Sequence, residues 1–197
     1  MKSAALAALL ATQTDARKSV SPDGKCRILA LRSGGTHGAF EVGVLSAFVD
    51  HLVKIDIHWD FLSGVSIGAI NASAFSLYDY GREREAINDI KKIYTEHDMT
   101  ELWEAWPAVI FEPLWKKSFV KNDGLRNIIA EFFGDRPFKR KLSVEAVDLV
   151  TGQVVIFDDE VMKGDVRNEM IVSSASIPAM FPPVHLDDMW LADGGVF

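Results

Sequence analysis

Between Glu83 and His97 the apolar residues Ala86, Ile87, Ile90, Ile93 and Tyr94 recur at helical spacing with charged residues between them, which predicts an amphipathic surface helix. A second stripe, Leu125, Ile128, Ile129 and Phe132, follows the helix-start signal Asn122-Asp123 and stops at Gly134, so a helix burying those residues is expected over Leu125–Phe133. A third helical pattern covers Phe40 to Val53, and a fourth, rich in alanine, leads away from Ile67. The short apolar runs Arg27 to Leu31 and Asp60 to Ser63 read as buried strands. Leu142 to Val150 and Val154 to Phe157 flank Thr151-Gly152, which predicts a hairpin. Strands alternating with helices indicate an α/β sheet with at least some parallel strands.

The ends of this pattern set the domain organisation. Lys2 precedes an apolar stretch, Ala4 to Ala11, and Thr14-Asp15-Ala16 offers a small-residue cleavage site, so residues 1–16 fit a short signal peptide and, equally, an uncleaved leader. The stretch falls short of the roughly 20 apolar residues that span a bilayer. A secretory destination follows from the first reading and a cytoplasmic or membrane-peripheral one from the second. Residues 17–25 are polar, with a turn at Ser21-Pro22-Asp23-Gly24, and read as a linker to a domain over 26–197.

Composition narrows the partners. The chain of 197 residues is 48% hydrophobic and 25% charged, in the range of one ordinary soluble domain. A net charge of -7 disfavours broad attraction to nucleic acid or to an anionic membrane, so lipid contact would have to be apolar. Trp103, Trp106 and Trp115, in a stretch broken by Pro107 and Pro113, are candidates for transient membrane-surface contact, with core packing as the other reading. Cys26 is the sole cysteine, which removes an intrachain disulfide, and His51 and His58 lack partners at metal-ligand spacing. No metal and no cofactor are expected.

Three short motifs carry the chemistry. Gly64-Val65-Ser66-Ile67-Gly68 joins an apolar strand to a helix, the setting in which a serine on a tight turn projects its hydroxyl as a nucleophile. Upstream, Ser33-Gly34-Gly35-Thr36-His37-Gly38 separates a strand from a helix; downstream, Met189 to Ala192 deliver Asp193 into Gly194-Gly195. The glycine loop also has the outline of a dinucleotide site, but Ser33 stands where its first glycine belongs, and Asp50 and Asp56 lack a second-strand context. A serine–histidine–acid hydrolase would need His97 or His185; because His185 precedes Asp193, it reverses that class's usual order of acid and histidine. Asn71-Ala72-Ser73 matches a glycosylation sequon, yet its place on the helix after Ser66 predicts burial.

The order glycine loop, Gly-x-Ser-x-Gly, Asp-Gly-Gly resembles the patatin-like phospholipase family. The resemblance runs from about Cys26 to the end and includes Ser66 to Ala72 and Ser174 to Pro183. It implies a layered α/β fold with a largely parallel central sheet flanked by helices and a nucleophile elbow after a sheet strand. The implied activity is hydrolysis of phospholipid or other glycerolipid esters through a serine–aspartate dyad and an acyl-enzyme. Ser66 would be the nucleophile and Asp193 the proton acceptor. Gly34, Gly35, Thr36 and Gly38 would form the oxyanion loop, with Gly64, Gly68, Gly194 and Gly195 shaping the elbow and the aspartate loop. The alternatives are the histidine hydrolase using His185 and an inactive lipid-binding module. Ser33 replaces the family's usual first loop glycine and His37 a frequent arginine or lysine; the backbone donors survive both changes. The family normally continues beyond the position of Phe197, so truncation of the domain at its C-terminal end is expected.

Overall fold

The computed structural model describes residues 21–96, 104–105, 120–164 and 166–196. The leader, residues 17–20, His97 and the three tryptophans Trp103, Trp106 and Trp115 lie outside the described residues. In chain order the described elements are β1 (Ile28–Leu31), α1 (Gly38–His51), β2 (Phe61–Val65), α2 (Ile67–Ser76), α3 (Glu83–Thr95), β3 (Glu104–Ala105), β4 (Val120–Lys121), α4 (Asp123–Phe133), β5 (Lys141–Asp148), β6 (Gln153–Asp158), α5 (Val166–Ser174), β7 (Val184–Leu186) and β8 (Met189–Asp193). A 3-10 turn, Gly35–His37, leads into α1, and another, Gly194–Val196, follows β8.

The fold is a mixed α/β sheet with helices packed on it. Its central strands β1, β2 and β5 run parallel, while β6, β8 and β7 join antiparallel. The expected hairpin is β5–β6, with Asp148 opposite Gln153 at its turn. Helix α2 packs on β1, β2 and β5, α5 packs on β5 and β8, and α1 and α4 lie against α3 and α5 respectively. Buried α2 residues run from Gly68 to Ser76, as befits a helix of small and apolar residues on every face. Asn71 in the sequon is accordingly fully buried.

The ladder fixes where the chain's ends of strands fall. β6 covers one edge of β5 from Ser143 to Asp148, so both β2 and β8 must lie on the other edge. There β2 pairs in parallel up to Val65 opposite Glu145, and β8 pairs antiparallel down to Asp193 opposite Ala146. The two strands approach from opposite directions and meet tip to tip on consecutive β5 residues.

Several boundaries differ from the sequence expectation. α1 starts at Gly38, ahead of Phe40, because the Gly35–His37 turn feeds directly into it, and it stops at His51, before Val53. β2 extends past Ser63 to Val65, held by β5. At the start of α4 the Asn122 side chain makes no cap bond and instead accepts from the Arg126 guanidinium. Phe133, one position after the expected Phe132, takes the buried end of the α4 stripe. Phe132 stays half-buried with the Arg136 guanidinium 5.0 Å from its ring centre.

One buried ion pair ties the start of β5 to α3. Arg140 donates to Glu83 Oε1 at 2.6 Å and to the Tyr78 carbonyl at 2.9 Å, and its guanidinium lies between the Phe75 and Tyr80 rings at 4.9 and 4.5 Å. Truncating one partner of a buried pair strands the other charge in a medium that solvates it poorly, at a cost of about 3–5 kcal/mol. Arg140→Ala should lose stability on that scale in urea denaturation; a loss of about 1 kcal/mol or less would show that the pair is well solvated.

Candidate active site

Ser66 is the single residue between β2 and α2, and its backbone sits at φ 59° and ψ -128°, a conformation that non-glycine residues rarely adopt. The chain reverses here within one residue because neighbours on both sides are stripped of side chains. A Cβ on Gly64 would overlap the Gly68 carbonyl, and one on Gly68 would overlap the Leu31 carbonyl at the end of β1. Strand, turn and helix can therefore press together only with glycine at both positions.

The strained serine is pinned from its backbone side by Ser174. Ser66 N–H donates to Ser174 Oγ at 2.9 Å, and that hydroxyl donates onward to the Glu145 carbonyl at 2.6 Å. Ser174 thus serves the point where the β2–β5 ladder ends. It also consumes the Ser66 N–H, so that group is not free to bind a further ligand oxygen. Ser174 belongs to a run of small buried residues, Ser173 to Ser176, whose sequence carries no periodic signal of this role.

Ser66 Oγ donates to Asp193 Oδ2 at 2.5 Å. Asp193 Oδ1 accepts from Gly195 N–H at 2.7 Å, and the Asp193 N–H donates to the Ser176 carbonyl at 2.9 Å. Both side-chain bearers are nearly sealed, Ser66 at 2% exposure and Asp193 at 1%. Burial pushes the Asp193 carboxyl above the usual carboxylate range, against the opposing pull of the hydrogen bonds from Ser66 and Gly195.

The remaining sequence-selected residues take the following places. Gly34 caps the Gly35–His37 turn, and Gly35 has φ +54° with open space around it, so its requirement is conformational. Thr36 is exposed at the turn, and His37 Nδ1 lies 2.8 Å from the Gly34 carbonyl, closing the turn on itself. Gly38 is buried where a Cβ would overlap Ile67 and approach Tyr94 Oη to 2.7 Å. A Cβ on Gly194 would fall 2.7 Å from the Glu145 carbonyl, and one on Gly195 would overlap the Ser33 hydroxyl. Ser33 therefore lies beside the aspartate loop, joining the glycine turn to it.

His185 is not brought to this pair. It sits exposed on β7, paired across the ladder with Trp190 and with ring centres 4.6 Å apart. His58 stacks on Tyr80 at 4.1 Å. Among the described residues no group of three or more His, Cys, Asp or Glu side chains is arranged to hold a metal ion, and no helix is long and apolar enough to cross a membrane.

Two stability predictions follow from the strain and the burial. Ser66→Gly and Ser66→Ala both lose Oγ, so their difference isolates the backbone, and Ser66→Gly should be the more stable by about 1 kcal/mol or more in denaturant titration; equal stability would remove the strain. Because the folded-state pKa of Asp193 is raised, its contribution is fully present below the unfolded value near 3.8 and is lost as pH rises through the folded value. Asp193→Asn should then be more stable than wild type at neutral pH, with the gap closing as pH falls through the raised Asp193 value to the ordinary carboxylate range. A gap that widens in acid would mean the carboxylate is stabilised in its charged form.

Comparison with known proteins adds independent findings. Residues 29–197 match the family model described as patatin-like phospholipase. A cGAMP-activated phospholipase of Escherichia coli (strain TW11681) is 27% identical over 192 residues, covering 87% of this chain and 52% of that protein. A cUMP-AMP-activated phospholipase of Escherichia coli is 27% identical over 150 residues, covering 74% of this chain and 41% of the relative. An uncharacterised NTE-family protein of Mycobacterium tuberculosis (strain CDC 1551 / Oshkosh) is 27% identical over 172 residues, covering 85% of this chain and 26% of its own length. The chain thus spans about half or less of these relatives. Among solved structures, VipD from Legionella pneumophila shares the fold with a TM-score of 0.58 at 16% identity, over 96% of this chain and 52% of that one.

Proposed function

The chain belongs to the patatin-like phospholipase family, and on that premise we propose that it hydrolyses lipid carboxylic esters with Ser66 as nucleophile and Asp193 as the sole general base. The observation that carries this reading is the direct 2.5 Å hydrogen bond from Ser66 Oγ to Asp193 Oδ2, with no imidazole between them.

The steps balance on these two side chains. Ser66 Oγ attacks the ester carbonyl carbon while its proton moves to Asp193 Oδ2. The carbonyl oxygen becomes an oxyanion, facing the N–H groups of Gly34, Gly35 and Thr36. Collapse of the tetrahedral intermediate breaks the bond to the alcohol, which leaves with the proton from Asp193. A water then gives its proton to Asp193 and attacks the acyl-enzyme, and the fatty acid departs as Ser66 regains its hydrogen.

A free aspartate is a feeble base toward a serine hydroxyl, with an ordinary pKa near ~3.9. Desolvation of Asp193 raises its proton affinity, and the proton travels only along an existing short bond. Oxyanion donors supply the larger share, at about 3 kcal/mol for each well-aimed group. The substrate class, a phospholipid or another glycerolipid ester, rests on the family and its phospholipase relatives.

Turnover of short-chain esters and phospholipid vesicles by Ser66→Ala, Asp193→Asn and His185→Ala tests the assignment. The first two should lose most activity, by roughly 10³-fold or more on the scale of removing a catalytic group, and His185→Ala should retain it within a few fold. A serine-directed phosphonate should label wild type and His185→Ala, spare Ser66→Ala and react slowly with Asp193→Asn. Folded but inert His185→Ala together with active Asp193→Asn would replace the dyad with a histidine mechanism.

A further inference from the structure

Asn71 lies on α2 five residues after Ser66, fully buried, and its amide makes three hydrogen bonds, two to α1 and one to α3. Nδ2 donates to the Gly38 carbonyl at 3.2 Å and to Glu41 Oε2 at 3.1 Å, and Oδ1 accepts from Tyr94 Oη at 2.6 Å. The orientation is set by chemistry, because a carbonyl and a carboxylate oxygen can only accept and so must face the NH2 group. The other oxygen of Glu41 accepts from the Arg32 N–H at 3.1 Å.

These bonds bracket the glycine turn. Arg32 immediately precedes Ser33 and the turn, and Gly38 immediately follows His37, so the turn enters at a group held by Glu41 and leaves at a group held by Asn71. Glu41 and Asn71 are bonded to each other, and Asn71 is rigidly connected through the first turns of α2 to the strained Ser66. Tyr94 reaches in from α3 to hold the amide; burial pushes its phenol well above the usual range, so it remains a neutral donor. Ser66 Oγ and the Asp193 carboxylate hydrogen-bond to each other and to Gly195 N–H, outside this set.

We propose that Asn71 is a positioning residue, which through Glu41 and the Gly38 carbonyl fixes the oxyanion turn at its working distance from the Ser66 hydroxyl, with Tyr94 as its support. The proposal rests on the serine–aspartate reading. Its energetic logic is that donors preorganised for a developing oxyanion lose their value when displaced, and a misplacement of about 1 Å can cost about 10²-fold in rate. Such a loss falls on the transition state, where the oxyanion exists, and spares ground-state substrate binding.

The test is steady-state hydrolysis of a soluble short-chain ester by Asn71→Ala, Tyr94→Phe and Glu41→Gln, normalised to folded protein by circular dichroism. It is paired with inhibition by an alkyl trifluoromethyl ketone. That ketone takes Ser66 Oγ at its carbonyl carbon, passes the hydroxyl proton to Asp193 and places a new oxyanion in the hole. Asn71→Ala should lower kcat by about 10²-fold with KM within a few fold of wild type, and should weaken the ketone in proportion to the lost kcat. Tyr94→Phe, which removes one hydroxyl and keeps the ring, should show a smaller loss of the same kind without change in KM. Glu41→Gln with Asn71→Ala should cost less than the product of the single losses, because both act through one clamp. Folded Asn71→Ala and Tyr94→Phe proteins that retain wild-type kcat, or that lose KM and kcat together with unchanged ketone affinity, would overturn the clamp while leaving a Ser66-dependent wild-type activity standing. Ester hydrolysis that persists in Ser66→Ala would overturn the dyad reading and the clamp with it.

Discussion

Everything at the candidate site depends on two strands meeting head-on along one edge of β5. β2 ends opposite Glu145 and β8 ends opposite Ala146, so the residue after Val65 and the last residue of β8 are forced into contact. A parallel strand and an antiparallel strand on the same edge cannot continue past each other, and each chain must turn away at once. β2 turns into α2 through the single residue Ser66, and β8 turns into a 3-10 turn through Gly194. The backbone strain at Ser66 and the glycine at position 194, where a Cβ would meet the Glu145 carbonyl, go with that collision, while Gly64 and Gly68 let α2 press on β2 and β1 and Gly195 lets Ser33 lie beside the aspartate loop.

The same geometry sets the electrostatics. The meeting point lies beneath α2 and beside α5, so the carboxylate that ends β8 is removed from water and its affinity for a proton rises. The partner that can exchange that proton is the hydroxyl that ends β2. The backbone polarity left over at the ladder's end is absorbed by Ser174, which takes the Ser66 N–H and satisfies the Glu145 carbonyl. With that N–H spent, the proposed oxyanion site falls to the glycine turn, and on that proposal the position of the turn matters as much as its composition. The bonds of Asn71, Glu41 and Tyr94 place the turn relative to α2, the helix that Ser66 leads into.

The sequence made parts of this arrangement legible and hid others for physical reasons. Ser66, Asp193 and the glycine turn stand out because tight turns demand particular residues at fixed local spacing. Helices α3 and α4 stand out because one face of each is apolar and the other polar, although Phe132 and Phe133 are neighbours, each with an arginine guanidinium near its ring, and the fold buries Phe133 rather than the expected Phe132. The antiparallel arrival of β8 beside β2 was not legible, since strand pairing is non-local and an apolar run such as Trp190 to Ala192 reads the same in either direction. Ser174 and Asn71 were hidden more deeply. Both sit among small buried residues, Ser174 at the end of α5 and Asn71 along α2, where no periodicity survives, and Asn71 showed in the sequence only as part of the Ser66 to Ala72 resemblance and as a sequon that burial closes to modification.

The central claim is that a serine ending one strand passes its proton directly to an aspartate ending the other while the glycine turn receives the oxyanion. The most direct measurement is a crystal structure of the protein after reaction with an alkyl phosphonate. The account predicts phosphorus bonded to Ser66 Oγ, the phosphoryl oxygen within about 3 Å of N–H groups in the Gly34–Thr36 turn, and Asp193 in contact with the adduct and no histidine within reach. An adduct whose phosphoryl oxygen faces away from that turn, or whose nearest titratable neighbour is an imidazole, would contradict it.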